Sequence, residues 1–212
     1  MLADMLDRVI AFAARDEAEL VRAREEWGDK AGRVFHDDVL YEERTTAFLE
    51  WYALERFGSD GKLPASRFLA EAGDGGAAAP LDEMDRAWGH ALATTHRSLF
   101  EVREVKEGEI LMDDLVGGGA FSVTERRRLP GVEPSEILEV RLVANPVTPP
   151  QILFTRAFQF HPREARPELK RQAELARKAG EAPAELLFRF LRLHLKALRY
   201  QHVAADKIYK DG

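Results

Sequence analysis

The chain has 212 residues, 45% of them hydrophobic, a net charge of −6 and no cysteine. This length corresponds to one large domain or two small ones, and the hydrophobic content suffices for a packed core. The lack of cysteine excludes disulfides, thiol nucleophiles and cysteine-ligated zinc sites. The negative net charge argues against broad attraction to nucleic acids or to membrane surfaces.

Charged and apolar residues are spread unevenly along the chain. Residues 1–160 contain 19 Lys and Arg against 30 Asp and Glu, whereas residues 161–212 contain 12 against 7. The two parts are expected to attract each other, or else the basic part faces an acidic partner. No stretch approaches the roughly 20 apolar residues of a membrane span, and Asp4 and Asp7 interrupt any secretory signal. We therefore expect a soluble, cytoplasmic protein.

The N-terminal part has the apolar spacing of helices. Helices are predicted over residues 3–26, 37–57 and 65–72, and residues 73–80, rich in glycine and alanine, have the composition of a flexible linker. The second helix carries several carboxylates beside His36, a composition that suggests a metal site. Carboxylate metal sites in helical bundles need Glu-x-x-His pairs on facing helices, and the sequence contains none. No metal and no other cofactor is therefore predicted.

The middle of the chain has a predicted helix over residues 81–97, followed by five segments with period-two alternation bounded by glycine and proline. The five predicted strands are Leu99–Lys106, Glu109–Asp114, Ala120–Glu125, Ile137–Ala144 and Gln151–Phe160. Their short links favour antiparallel neighbours, because a parallel crossover needs a dozen or more residues. Such strands bury one face well by closing into a small β-barrel of the SH3-like or OB-like type. The SH3-like type is favoured, because residues 126–136 are too short and broken for the helix of an OB-fold.

Two sets of residues define the predicted barrel. Its core is expected to consist of the inward-facing side chains Phe100, Val102, Val140, Leu142, Phe154 and Phe158. Its sharpest polar feature is the arginine triplet, Arg126, Arg127 and Arg128. As a solvated loop the triplet needs no function; the alternative is a candidate site for an anionic partner, because the loops of such barrels often bind.

The C-terminal part contains two predicted helices, over residues 162–179 and 184–209. At about 100° per residue, four cations of the second helix share one arc. These cations form a basic stripe, a second candidate site for an anionic partner: Arg189, Arg192, Lys196 and Arg199. Apolar side chains cover most of the remaining circumference, more than one core face requires. Leu187, Leu191 and Leu198 are therefore predicted to form an interface, most simply with a second copy of the chain, and a central core helix is the alternative.

Known catalytic and nucleotide-binding motifs are missing from the sequence. It contains no G-x-S-x-G, no G-x-x-x-x-G-K-[ST] and no G-x-G-x-x-G pattern. Gly117–Gly119 precedes a predicted strand, so no helix N-terminus could bind phosphate there. Asp113 and Asp114 are adjacent in a strand and point to opposite faces. We therefore predict no catalytic residue and no enzymatic activity.

Two segments resemble a group of uncharacterised bacterial proteins. These are FLEWYALER at Phe48–Arg56 and SLFEVREVKEGEILMDDLVGGGAFSVTER at Ser98–Arg126. Members of the group pair an F-x-E-W-Y helix with a small barrel, and some end in a SEC-C zinc motif. The zinc motif is absent here, because the chain has no cysteine. The resemblance implies a fold and no particular reaction.

The sequence thus predicts an α+β protein in three regions that pack as one compact unit. These regions are N-terminal helices (1–79), a helix plus small barrel (80–160) and two C-terminal helices (161–212). The favoured function is a non-enzymatic protein-interaction or adaptor module that self-associates. One alternative is a nucleic-acid-associated small barrel that uses the arginine triplet and the basic stripe. The other is an enzyme with an unrecognised site.

Overall fold

The computed structural model describes residues 1–73, 80–147 and 149–210. Residues 74–79, most of the predicted linker, lie outside the described residues. Within the described ranges the chain forms eight α-helices, one 3₁₀ turn and five β-strands. In chain order they are α1 (Leu2–Ala13), α2 (Glu17–Ala31), α3 (Tyr41–Leu54), α4 (Pro64–Gly73), α5 (Glu83–Leu92), β1 (His96–Lys106), β2 (Glu109–Asp114), β3 (Ala120–Thr124), β4 (Ile137–Asn145), β5 (Gln151–Phe160), the 3₁₀ turn (Arg163–Ala165), α6 (Arg166–Ala179), α7 (Pro183–Arg199) and α8 (Ala205–Lys210).

The strands form one antiparallel sheet in the order β3-β2-β1-β4-β5. The α+β class and the five antiparallel strands are thereby confirmed. The predicted closure into a small barrel is wrong, because the sheet is open with β3 and β5 at its edges. Neither the SH3-like nor the OB-like identity is confirmed.

The central strand β4 gives the physical reason for the open sheet. All its residues from Ile137 to Val143 are buried, including Glu139 and Arg141. In a small barrel, outward-facing side chains of a strand meet solvent, whereas both faces of β4 are covered. Burial of these charges is compensated by ion pairs of 2.7 Å, from Arg97 to Glu139 and from Arg141 to Glu55.

The predicted core of the barrel is mostly the core of the open sheet. Phe158 is half-buried and the other five predicted residues are buried, namely Phe100, Val102, Val140, Leu142 and Phe154. Strands β1 and β2 pair from Lys106↔Glu109 to Phe100↔Asp114, with an irregularity between Val102 and Glu104. The alternation seen in the sequence therefore identified buried positions correctly, although they are buried in an open sheet and not inside a barrel.

The chain divides into two compact units built from segments that are distant in sequence, whereas the sequence predicted three consecutive regions. The first unit consists of Met1–Trp27, Val34–His96 and Arg141–Ala157, and the second of Gly28–Arg33, Arg97–Val140 and Phe158–Gly212.

Aromatic side chains make much of the core of the first unit. The ring of Trp27 lies 5.3 Å from that of Trp51 and 6.1 Å from that of Phe48. Tyr52 stacks on Phe48, and its hydroxyl donates a 3.0 Å hydrogen bond to the carbonyl oxygen of Ala13. The aromatic side chains of α3 thus contact Trp27 of α2 and, through the carbonyl oxygen of Ala13, the end of α1.

Strands β1 and β4 pack against α6, α7 and α8 in the second unit. Leu99 and Ile137 belong to one apolar cluster with Leu169 of α6, Leu187 of α7 and Tyr209 of α8. The Tyr209 hydroxyl also forms a 2.8 Å hydrogen bond with Nδ1 of His161, a buried residue directly after β5. This hydrogen bond satisfies two buried polar groups in a mostly apolar interior.

Four predicted helices differ clearly from the observed ones. The helix predicted over 81–97 spans Glu83–Leu92, and strand β1 already begins at His96. The helix predicted over 3–26 is interrupted at Asp16, whose carboxylate accepts the backbone N–H of Glu19 at 3.0 Å and starts α2. The helix predicted from residue 37 begins at Tyr41, because Asp38 accepts the N–H of Phe35 at 2.7 Å and holds a turn. The helix predicted to reach residue 209 is interrupted after α7, where the N–H of Val203 donates to Tyr200.

Candidate functional site

A groove of about 450 Å³ lies in the second unit, between the β1–β2 turn and the loop from β3 to β4. Its lining contains apolar side chains from both segments, among them Val105 and Ile110 from the hairpin and Leu129 and Val132 from the loop. Val105 is 44% exposed, although it is a valine paired across the strands with Ile110. An apolar surface is therefore accessible within the groove.

Backbone features hold the two walls of this groove. Gly108 takes φ +77° in the two-residue turn after β1, a conformation that glycine adopts without steric cost. On the loop side, Gly131 has φ +82°, and a side chain there would meet the ring of Phe160. The loop returns to β1 through a 2.7 Å hydrogen bond from the N–H of Ser135 to the carbonyl oxygen of Val102. The groove is thus shaped by fixed turns.

The arginine triplet forms one rim of the groove, and its three side chains are exposed. Arg127 is held by Glu125, whose carboxylate accepts Nε at 3.0 Å and Nη2 at 2.9 Å. This hydrogen-bonded arginine lowers the pKa of the Glu125 carboxyl below its usual value. Among the residues that the structure describes, Arg126 and Arg128 make no ion pair, so their charges face solvent.

The basic stripe is largely engaged with its own chain. Arg189 forms a bidentate pair with Glu181 at 2.9 and 3.2 Å. Arg192 and Arg199 donate to the backbone carbonyl oxygens of Lys30 and Arg33, and the second of these bonds is 2.7 Å long. Lys196, the remaining member of the stripe, is exposed. The structure therefore does not bring the whole stripe together as an open cationic surface.

The predicted leucine interface is not a free surface of α7. Leu187 is 2% exposed and Leu191 is fully buried within the chain, while Leu198 is half-buried. The wide apolar arc is occupied by the protein's own core, because α7 buries side chains around most of its circumference. The burial of Leu187 and Leu191 favours the central core helix over the leucine interface, and the interface with a second copy stays a prediction.

A second cleft, of about 510 Å³, lies where the β2–β3 turn faces α6. Most charges that line it are compensated. Lys170 pairs with Glu101 at 2.7 Å, and Glu174 pairs with Lys178 at 2.6 Å. Arg177 makes no ion pair with any residue that the structure describes, and a side chain added at Gly118 would lie 3.4 Å from its Nη1. The cleft therefore has one exposed guanidinium next to the turn, whose charge also acts on Glu174.

The adjacent carboxylates of Asp113 and Asp114, which also line this cleft, have separate roles. Asp114 is buried and accepts hydrogen bonds from Ser98 Oγ at 2.5 Å, from the N–H of Val116 at 2.9 Å and from the N–H of Gly117 at 2.8 Å. Asp113 lies 3.4 Å from Arg103. Asp114 therefore builds the turn that leads into β3, and the two carboxylates do not act as a pair.

Within residues 1–73, 80–147 and 149–210, no three His, Asp or Glu side chains converge as metal ligands would. No helix there has the length and apolar character needed to cross a bilayer.

Comparison with known proteins gives no match: no protein-family model, no curated protein and no solved structure is similar to the chain. The resemblance to the bacterial helix-plus-barrel proteins stays a prediction.

The sequence identified the cations of the groove but gave no sign of its apolar lining. Ile110 and Val132 border the groove as buried core residues, and the exposed apolar side chain there is Val105, which only the approach of the β1–β2 turn to the following loop places in a groove. It also missed the buried carboxylate of Glu50, which accepts hydrogen bonds from Thr155 Oγ1 at 2.7 Å and from the N–H of Arg156 at 3.0 Å. No local signal distinguishes this glutamate, because its partners lie more than a hundred residues away.

Proposed function

We propose that the protein is a non-enzymatic protein-interaction module that binds an acidic segment of a partner in the groove beside the arginine triplet. The observation that carries the proposal is the combination of an accessible apolar surface at Val105 with two exposed, unpaired arginines, Arg126 and Arg128, on its rim. Apolar contacts would contribute affinity, and the charges would select acidic sequences and speed their encounter.

A protein ligand fits these features better than a nucleic acid does. Nucleic-acid binding relies on neutralising several phosphates along a continuous cationic track. Here Arg127 is neutralised by Glu125, and Arg189, Arg192 and Arg199 are bound to the chain's own acceptors. Two uncompensated arginines beside apolar surface match a short acidic peptide with apolar residues.

The test is selection from a phage-displayed library of random 12-residue peptides on the immobilised full-length protein. We expect enrichment of peptides in which Asp or Glu flanks apolar residues. The most enriched peptide is then titrated by fluorescence anisotropy against wild type and against the double variant Arg126→Glu/Arg128→Glu. Reversing two exposed charges should weaken binding at least about tenfold, since each exposed pair contributes about 0.2–1 kcal/mol and reversal adds repulsion.

The matched control is Lys62→Glu/Arg86→Glu, which changes net charge equally at two exposed positions of the first unit. Its affinity should stay within about twofold of wild type. Absence of enriched peptides, enrichment without acidic residues, or an equal loss in the control would contradict the proposal. Tighter binding to a 20-nucleotide single-stranded DNA, with steep salt dependence and loss in the arginine double variant, would replace it with nucleic-acid binding.

A further inference from the structure

Strand β3 presents a row of unused backbone groups at one edge of the sheet. It pairs with β2 in a register that runs from Ala120↔Asp113 to Thr124↔Glu109. The same register continues at both ends, where the N–H of Asp114 donates to Gly119 and the N–H of Glu125 donates to Gly108. Antiparallel strands alternate between hydrogen-bonded and non-hydrogen-bonded pairs, so these two bonds set the phase of the whole strand.

This phase decides which groups point away from the sheet. Phe121 and Val123 direct their N–H and C=O groups at β2, whereas those of Ala120, Ser122 and Thr124 point to the open edge. Within the part of the chain that the structure describes, no hydrogen bond uses the N–H groups of these three residues. An edge with such groups is a template for another strand.

On the other edge strand of the sheet, β5, a buried side chain occupies two backbone donors. On β5 the buried carboxylate of Glu50 accepts the N–H groups of Arg156 at 3.0 Å and of Ala157 at 3.1 Å. Natural proteins also protect edges with lysine, proline or inward-pointing charges. The sequence of β3, AFSVT, contains none of these devices.

Exposed cations that make no ion pair with any described residue lie at both ends of β3. Its last residue is followed by the arginine triplet, with Arg126 and Arg128 unpaired among the described residues. Its first residue, Ala120, lines the second cleft together with Arg177. Five strand residues span roughly 17 Å, so an extended segment of about seven residues would meet a cation at each end.

We infer that the partner segment binds as an additional β-strand on the open edge of β3, with acidic residues near both of its ends. This inference rests on the proposed function and adds a binding mode: from the groove beside the arginine triplet, the segment would continue along the open edge of β3, whose residues lie outside the groove lining. Main-chain hydrogen bonds to Ala120, Ser122 and Thr124 would provide affinity, and the terminal cations would set sequence preference.

The charges favour an acidic partner over a second copy of this chain. Two β3 strands related by a two-fold axis would pair antiparallel, which brings the arginine triplet of one copy to the Arg177 end of the other. Like charges placed opposite each other disfavour strand pairing. An acidic segment replaces this repulsion with attraction at both ends.

The experiment compares Ser122→Pro with Ser122→Ala, using the most enriched acidic peptide of the selection described above. Both variants lose the Ser122 hydroxyl, which donates to Glu109, and only the proline removes the outward N–H. Proline is tolerated on an edge strand where its nitrogen faces solvent, and circular dichroism and thermal melting verify the fold. We expect Ser122→Pro to weaken binding at least about tenfold and Ser122→Ala to change it less than about threefold.

Two further measurements keep the inference testable if Ser122→Pro does not fold. Peptides N-methylated at alternate residues should lose binding in one phase and keep it in the other, because only every second amide pairs with β3. Amide hydrogen exchange by NMR should slow at Ala120, Ser122 and Thr124 on peptide binding and stay unchanged at Val123.

The outcomes separate the binding mode from the function. If an acidic peptide binds through Arg126 and Arg128 but tolerates both N-methylation phases and protects none of the three amides, strand addition is refuted and the proposed function stands. If no acidic peptide binds, both fail. A dimer in sedimentation equilibrium that Ser122→Pro dissolves would assign the edge to a second copy and overturn the inference.

Discussion

Replacing Leu187 with alanine tests whether α7 is a core helix or an interface helix. Leu187 is 2% exposed and belongs to the cluster that contains Leu99, Ile137 and Leu169. The substitution removes three carbon atoms, a loss of about 2.4 kcal/mol at about 0.8 kcal/mol per buried methylene. The cavity left behind raises the expected cost to about 3–5 kcal/mol. For a chain of this length, the melting temperature should fall by roughly 6–20 °C.

The assay is urea denaturation and thermal melting of Leu187→Ala beside a matched control, Leu175→Ala. Leu175 lies on α6 and is 51% exposed, so its truncation should cost less than about 1 kcal/mol. Each measurement is repeated over a hundredfold range of protein concentration. A Leu187 variant that melts within about 2 °C of wild type would refute the burial argument. A loss that grows on dilution would show that a second copy buries the side chain.

Two further predictions concern buried carboxylates in the first unit. Hydrogen bonds from Arg22 and Arg56 lower the pKa of Glu19 from its ordinary value of 4.5 to about 2. The ionised carboxylate therefore stabilises the folded protein by about 1–2 kcal/mol above pH 4.5, and this stabilisation is lost as the pH falls towards 2. The difference in melting temperature between wild type and Glu19→Gln should therefore shrink between pH 5 and about pH 2.5, and a constant difference would contradict this. Glu50→Ala should lower the free energy of unfolding, measured by urea denaturation, by about 3–5 kcal/mol, because buried donors including the N–H of Arg156 lose their acceptor. A decrease below about 1 kcal/mol would show that water solvates the site.

Local patterns were sufficient to predict the strands and their turns. Glu109–Asp114 and Gln151–Phe160 were predicted with the observed bounds, and Gly108 and Gly118 take the positive φ values expected of turn glycines. Period-two alternation and glycine placement depend only on neighbouring residues, so a single sequence contains them.

The closure of the sheet could not be predicted from the same patterns. An open sheet and a barrel both bury one alternating face, and they differ in what happens to the other face. On β4 that difference depends on Glu139 and Arg141, which look solvent-facing in sequence. Their ionic partners, Arg97 and Glu55, lie 42 and 86 residues away along the chain. Only the tertiary structure reveals that these charges are buried, because nothing local marks a polar residue that has a distant partner.

A similar ambiguity explains the prediction for α7. A helix that is apolar around most of its circumference is either buried on several sides or exposed to a partner, and its sequence is the same in both cases. For the candidate site, the arginine triplet was visible in the sequence, while the apolar groove required the β1–β2 turn and the following loop to come together. Sequence therefore located the charges of the site and not its shape.

The two edges of the sheet suggest how binding could be selective without a deep pocket. At β5 the buried carboxylate of Glu50 occupies two backbone donors, those of Arg156 and Ala157, at a desolvation cost. At β3 no comparable group is found among the described residues, and protection would come instead from cations at its ends. Cations repel a second copy of the same edge and most lysine- or arginine-rich strands, and they attract acidic ones. In the proposed binding mode, such an edge would stay available for one class of partner while resisting the self-pairing that leads to aggregation.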